Sequence, residues 1–258
     1  MIRIGIIGLS PGNGHPYSWA AICNGYDPKA MSNCPFPVIP QYLAAETWPD
    51  AKIPGVKVSH IWTQDRALSE EVAKASLIDH ICDKMEDMIG QVDAVLLARD
   101  DAENHLAMSK PFIDEGIPIF IDKPLALSLK DAHEMMGLQK YSHQLYSCSS
   151  LRFAEELILT EEEQQKLGSI KFVEAQIPKY WETYAVHLLD PIIQNSPQRG
   201  PLKSVIPNRT GKIHAAQVRW ENFEARIGCY SHFPVPLEFR YFGEDAFIVK
   251  TFKDSFAA

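Results

Sequence analysis

The chain has 258 residues, enough for one large α/β domain or for an α/β half plus a compact second domain. Its 25 lysines and arginines against 33 aspartates and glutamates leave a formal charge of −8, a surface that repels phosphate backbones and argues against a nucleic-acid partner. With 46% apolar residues a sizeable core can form, yet no apolar run approaches the roughly 20 residues a bilayer requires, so no membrane partner is expected.

Met1 leads directly into Ile2-Arg3-Ile4-Gly5-Ile6-Ile7, which reads as a strand rather than a signal peptide. The five cysteines are odd in number and scattered, with no C-x-x-C pair. That pattern points to neither a disulfide framework nor a metal site, and the expectation is a reduced, cytoplasmic protein.

In chain order, residues 2–8 are too short and too β-branched for a helix and read as a buried strand. A helix is predicted to start near His15-Pro16, because proline suits a first helical turn. Residues 24–55 are proline-rich without clean periodicity and read as a long insertion. A strand over 56–62, a helix over 67–75, a strand over 93–98 and a helix over 102–115 follow. Next come a strand over 118–121 and a helix over 128–139, with Ser128 as N-cap and Asp131 at its third position. This alternation predicts an α/β fold with a doubly wound parallel sheet. After about Phe153, stretches 170–177, 212–220, 225–231 and 237–251 concentrate β-branched and aromatic residues between turn signals. They predict a reduced α+β domain with a mainly antiparallel sheet. The expected division is a dinucleotide-binding domain over 1–126 and a second domain over 127–258, with 127–153 as a further candidate to complete the first sheet.

The first strand runs into Gly8-Leu9-Ser10-Pro11-Gly12-Asn13-Gly14-His15. A glycine-rich turn here lets the backbone approach a dinucleotide pyrophosphate at the next helix N-terminus. The usual spacing G-x-G-x-x-G would put glycines at positions 10 and 13, where Ser10 and Asn13 stand. A plain tight turn is the competing reading. Asp65, after the second strand, is a candidate ribose ligand or the N-cap of the following helix. Either NAD or NADP fits.

From Asp93 to Pro124 the sequence becomes specific. Asp93-Ala94-Val95-Leu96-Leu97-Ala98, then His105, then Glu115-Gly116-Ile117-Pro118-Ile119-Phe120-Ile121-Asp122-Lys123-Pro124-Leu125-Ala126 resembles the glucose–fructose oxidoreductase / inositol dehydrogenase / MocA family. That family reads D-A-V-x-I-x-T-P-x-x-x-H and, after a helix, A-G-K-x-V-x-x-E-K-P-L-A. Ser150-Leu151-Arg152-Phe153 and Leu167-Gly168-Ser169-Ile170 continue the likeness, which spans about residues 1–195.

The resemblance implies an NAD(P)-dependent oxidoreductase acting on a sugar-like small molecule as a homodimer or higher homo-oligomer. It implies cofactor contacts at Gly8, Ser10, Gly12, Asn13, Gly14, Asp65, Arg99, Asp100, His105, Asp122 and Lys123. Lys123 would hydrogen-bond the substrate hydroxyl or the nicotinamide carboxamide. Aspartate replaces the family's glutamate at Asp122, and Arg99-Asp100-Asp101 replaces its Thr-Pro.

In the second domain, the family's D-x-x-x-H-x-x-D is matched by Thr183-Tyr184-Ala185-Val186-His187-Leu188-Leu189-Asp190, with threonine in the first place. The resemblance makes His187 the general acid/base. Arg152, Tyr180, Tyr184 and His187 join Lys123 as candidate substrate contacts. On a helix, Tyr180, Tyr184 and His187 would share one face, and Pro191 predicts that the helix begins close to His187 or kinks there. A core role for His187 and packing roles for the tyrosines remain the alternatives. A relative that binds a nucleotide or metabolite without redox catalysis is the second functional reading.

Overall fold

The computed structural model describes residues 1–231 and 233–253. Position 232, between the predicted stretches 225–231 and 237–251, and 254–258, the end of the expected second domain, lie outside the described residues. The chain divides into two compact units, one over Met1–Ser147 and one from Cys148 onward.

The first unit is a six-stranded sheet with neighbours in the order β3-β2-β1-β4-β5-β6, every pair parallel. Its strands are β1 Ile2–Ile7, β2 Val56–Trp62, β3 His80–Ile81, β4 Ala94–Leu97, β5 Ile119–Ile121 and β6 Leu145–Tyr146. Strand order reverses between β1 and β4, both of which run out from the middle of the sheet. A crevice therefore opens beyond their carboxyl ends, the place where doubly wound folds bind ligands. Helices α1 His15–Asn24, α4 Arg66–Ala75, α5 His105–Asp114 and α6 Leu129–Leu138 connect the strands. Asp65 caps α4 through the Ala67 N–H, and Ser128 caps α6 through the N–H of Asp131. The predicted insertion is more ordered than its composition suggests. It holds α2 Pro28–Met31 and α3 Val38–Ala45, whose Met31, Ile39 and Leu43 bury against α1 and β2 in one apolar cluster. The short helices escape periodicity because they offer only about one and two turns of pattern.

The second unit has α7 Glu161–Leu167, α8 Trp181–Asn195 and a sheet in the order β12-β11-β7-β10-β9-β8. The strands are β7 Ile170–Ile177, β8 Leu202–Thr210, β9 Ile213–Trp220, β10 Glu224–Cys229, β11 Glu238–Gly243 and β12 Phe247–Thr251. Pairing is antiparallel except between β7 and β10. Alternate residues Val173, Ala175, Ile177, Ala225, Ile227, Cys229, Phe239 and Tyr241 point into one core, as a period of two requires. Strand β8 was not legible in the sequence. It is an edge strand, exposed along nearly its whole length, and carries Pro207, which only an edge tolerates.

Of the two outcomes expected from Pro191, a helix start close to His187 does not occur. The helix begins at Trp181, six residues before His187, and continues through the proline. Losing one backbone hydrogen bond there is offset by burial of Leu188, Pro191 and Ile192 in the core. The end of α8 is held by Asn195, which donates to the Leu157 carbonyl and Tyr241 Oη and accepts the Leu159 N–H, all within 2.8–2.9 Å. Among the described residues no helix is long and apolar enough to cross a membrane.

Replacing Asn195 with alanine strands three buried polar groups at once. Urea unfolding should report a loss of about 2–4 kcal/mol, and a change under 0.5 kcal/mol would show that Asn195 does not anchor α8.

Candidate active site

The crevice of the first unit is built on Asp122, at the end of β5 and only 2% exposed. Its Oδ2 accepts Asn13 Nδ2 at 2.8 Å and His15 Nδ1 at 2.6 Å, and its Oδ1 accepts the Lys123 backbone N–H at 2.7 Å. Burial pushes this carboxyl up, but the His15 hydrogen bond, the positive charges of His15 and Lys123, and the Asn13 amide bring it below its ordinary value. Lys123 is itself buried, and its Nζ lies 3.9 Å from Asp100 Oδ2. Asp100 in turn accepts the Ser10 hydroxyl at 2.6 Å, while its backbone N–H donates to Ser10 Oγ at 3.1 Å. A chain of polar contacts thus joins the lysine to the glycine-rich turn.

The turn is held from several sides. Gly8 packs so closely on α1 that a Cβ there would sit 2.2 Å from Pro16 Cγ, the strand–helix approach that a dinucleotide-binding turn needs. Gly12 has φ +84 with open space where a side chain would be, so the backbone is bare toward a ligand. Gln64 Oε1 accepts the Leu9 N–H and Arg99 Nη1, and Arg99 also donates to the Leu9 carbonyl. Arg99 forks onto Asp101 through Nε and Nη2. Burial raises the Asp101 carboxyl, while hydrogen bonds from Arg99 and Asn104 lower it to a net value below the ordinary one. This Arg99–Asp101 pair stands where the family keeps Thr-Pro. The bare Gly12 backbone, the close strand–helix approach and the cations of the crevice fit an anionic dinucleotide.

His105 is fully buried, with Nδ1 3.1 Å from the Leu125 carbonyl and Nε2 2.9 Å from the Arg99 carbonyl. It ties the ends of β4 and β5 together from beneath. Asp65, besides capping α4, receives Thr63 Oγ1 at its carbonyl.

The second unit gathers a separate cluster. Ser149 Oγ lies 2.6 Å from His187 Nδ1 and accepts the Leu151 N–H, and the Ser149 N–H donates to Asp190 Oδ2 at 2.5 Å. Arg152 Nη1 is 3.6 Å from Asp190 Oδ1, and the Tyr184 ring centroid is 5.2 Å from that of His187. Burial raises the Asp190 carboxyl, against the opposing pull of the Ser149 N–H and Arg152. The Tyr180 carbonyl accepts the Tyr184 N–H at 3.1 Å, the first helical hydrogen bond of α8. Tyr180 is the extended N-cap of α8, half exposed. Among the described residues no three histidine, cysteine or acidic side chains are placed to hold a metal ion.

The sequence reading missed three residues of these clusters, namely His15, Gln64 and Ser149. Each stands beside a motif residue in the chain, but its partner lies 107, 55 or 38 positions away, a separation that no local pattern encodes.

A 3-2-1-4-5-6 parallel sheet with a bare glycine backbone and a lysine at its switch crevice defines a dinucleotide-binding oxidoreductase fold. The sequence model of the "Oxidoreductase family, NAD-binding Rossmann fold" matches residues 2–150, and the chain belongs to this glucose–fructose oxidoreductase / inositol dehydrogenase / MocA family. Its NAD-binding domain is the first unit. Similar solved structures include a "probable dehydrogenase" from Thermotoga maritima, with TM-score 0.72 and 14% identity over 98% of this chain and 77% of that one. Levoglucosan dehydrogenase, in complex with NADH and levoglucosan, aligns with TM-score 0.70 and 15% identity over 97% and 72%. The scyllo-inositol dehydrogenase of Lactobacillus casei, with bound NAD(H) and scyllo-inositol, aligns with TM-score 0.67 and 14% identity over 96% and 76%. No curated protein matches the chain.

Because the folded Asp122 carboxyl titrates below its unfolded value of about 3.9, its stabilisation is complete above that pH and fades as pH falls through the lower folded value. Unfolding measured between pH 7 and pH 3 should therefore show a steeper acid-side loss in the native protein than in Asp122→Asn. Parallel curves would show that this carboxylate contributes nothing to the acid limb.

Proposed function

We propose that the chain interconverts a secondary hydroxyl and a carbonyl on a sugar, cyclitol or similar small molecule, using NAD or NADP. The observation that carries this reading is Lys123. It is buried at the carboxyl end of β5 and linked through Asp100 to the glycine-rich turn. When bound, the nicotinamide supplies the hydride acceptor or donor. Lys123 hydrogen-bonds the reacting oxygen and stabilises the negative charge that grows on it.

His187 takes the hydroxyl proton in oxidation and returns it in reduction, at Nε2. The Ser149 hydroxyl suits both states. Its oxygen accepts from Nδ1–H both when Nε2 is bare and when the ring has taken the proton at Nε2 and is an imidazolium. Arg152, tied to Asp190, together with Tyr180 and Tyr184, is assigned to substrate contact. In this reading the chain works as a homo-oligomer, as the resemblance implies.

The second reading, a cofactor-binding relative without turnover, is favoured by the neutral Ser149 as partner of His187 and by Thr183 where the family keeps an aspartate. A titration with NADH and NADPH, followed by energy transfer from the five tryptophans, should show binding under either reading. A screen of polyols and sugars then separates them. Lys123→Ala and His187→Ala should each lower kcat by about 10²–10⁴ while NADH still binds. Full turnover in Lys123→Ala on an identified substrate would refute the assignment, and a native protein that binds NADH but turns over none of these compounds supports the second reading.

A further inference from the structure

His15 is the first residue of α1, and nothing in the family motif calls for a histidine there. Its ring is fixed on two sides. It stacks on Trp19 at 4.8 Å with planes 13° apart, and Trp19 abuts Phe120 of β5 edge-on at 5.3 Å. Nδ1 meets Asp122 Oδ2 at 2.6 Å, and because a carboxylate only accepts, Nδ1 is the donor. That leaves Nε2 as the outward atom, without a hydrogen-bond partner among the described residues, on a side chain about one-third exposed.

Several of the backbone donors that a helix N-terminus normally turns toward a diphosphate are already committed here, those of the first three residues of α1 among them. The His15 N–H donates to Asn13 Oδ1 at 2.8 Å, Pro16 has none, and the Tyr17 N–H donates to the Gly14 carbonyl at 3.0 Å. The Leu9 N–H is taken by Gln64 and that of Asn13 by the Ser10 carbonyl. The charge balance points the same way. Asp100, Asp101 and Asp122 stand in the crevice against Arg99 and Lys123, an excess of one negative charge before any phosphate arrives. A cationic imidazole corrects that excess and supplies a directed donor in one step.

We infer that His15 binds the cofactor diphosphate, its imidazolium Nε2–H donating to a phosphate oxygen in place of the α1 backbone N–H groups. Asp122 is then the residue that aims His15, a positioning role distinct from its neighbourhood to Lys123. The inference rests on the NAD-binding crevice described above.

Calorimetric titration of the full chain with NADH, ADP-ribose and adenosine tests it. His15→Asn places an amide nitrogen near Nδ1, which keeps the Asp122 contact while removing Nε2, and His15→Ala removes both. Both variants should weaken NADH and ADP-ribose by the same factor, about ten-fold or more, and leave adenosine unchanged. His15→Asn serves where His15→Ala disturbs the fold through Asp122. Unchanged affinity for NADH and ADP-ribose in His15→Asn overturns the assignment, as does a loss confined to NADH, which would put the ring at the nicotinamide. If the native protein binds none of NADH, NADPH and ADP-ribose, the NAD(P) reading under Proposed function falls with it.

Discussion

A carboxylate removed from water at the end of a parallel strand needs hydrogen-bond donors around it, because an unpaired buried charge costs several kcal/mol. Asp122 finds them in three places, namely the side chain of Asn13, the ring of His15 and the backbone of Lys123. Those partners belong to the turn after β1, the start of α1 and the second residue after β5. One buried group therefore fixes the glycine-rich turn against the far side of the switch crevice and holds the start of the Lys123 segment in place. The departures of this turn from the usual glycine spacing become intelligible from here. Asn13 occupies a glycine position because its amide spans from Asp122 to the His15 N–H.

A second group of contacts gives the crevice its electrostatic character. Ser10, the other residue in a glycine position, is bound to Asp100, and Asp100 faces Lys123. Arg99 is drawn onto Asp101 and Gln64 and so stiffens the loop from the end of β4 to the turn. The three residues that replace Thr-Pro thus form a charged bracket rather than an apolar one. In the second unit the logic is similar on a smaller scale. Ser149 serves as the junction, its hydroxyl toward His187 and its N–H toward Asp190, while Arg152 offsets the Asp190 charge.

Much of the fold was legible in the sequence. The strands at 56–62 and 170–177 and the Ser128 cap of α6 follow from short-range rules: β-branched runs, a period of two and cap chemistry. Strand β8 and the two helices of the insertion were not legible, because an exposed edge strand with a proline and helices of one or two turns carry no periodic signature. A start of α8 close to His187 was one of two expected outcomes, and it fails for a different reason. Proline's local penalty is real, but the burial of Leu188 and Ile192 outweighs it, and burial is a property of the whole core. Of the candidate residues, Lys123, Asp122 and His187 could be picked out because motifs mark their places in the chain. His15 and Ser149 could not, since their meaning comes from partners far away in sequence.

The sequence by itself determined the family, the Rossmann sheet and the position of a lysine just beyond β5, because each is written in residues close together along the chain. Tertiary structure alone decided how the acidic residue before that lysine is used. Only folding brings Asp122 within 2.6 Å of a histidine 107 residues earlier, and only burial makes that contact obligatory. The Asp-Lys-Pro segment is therefore a local motif whose carboxylate answers to a long-range constraint.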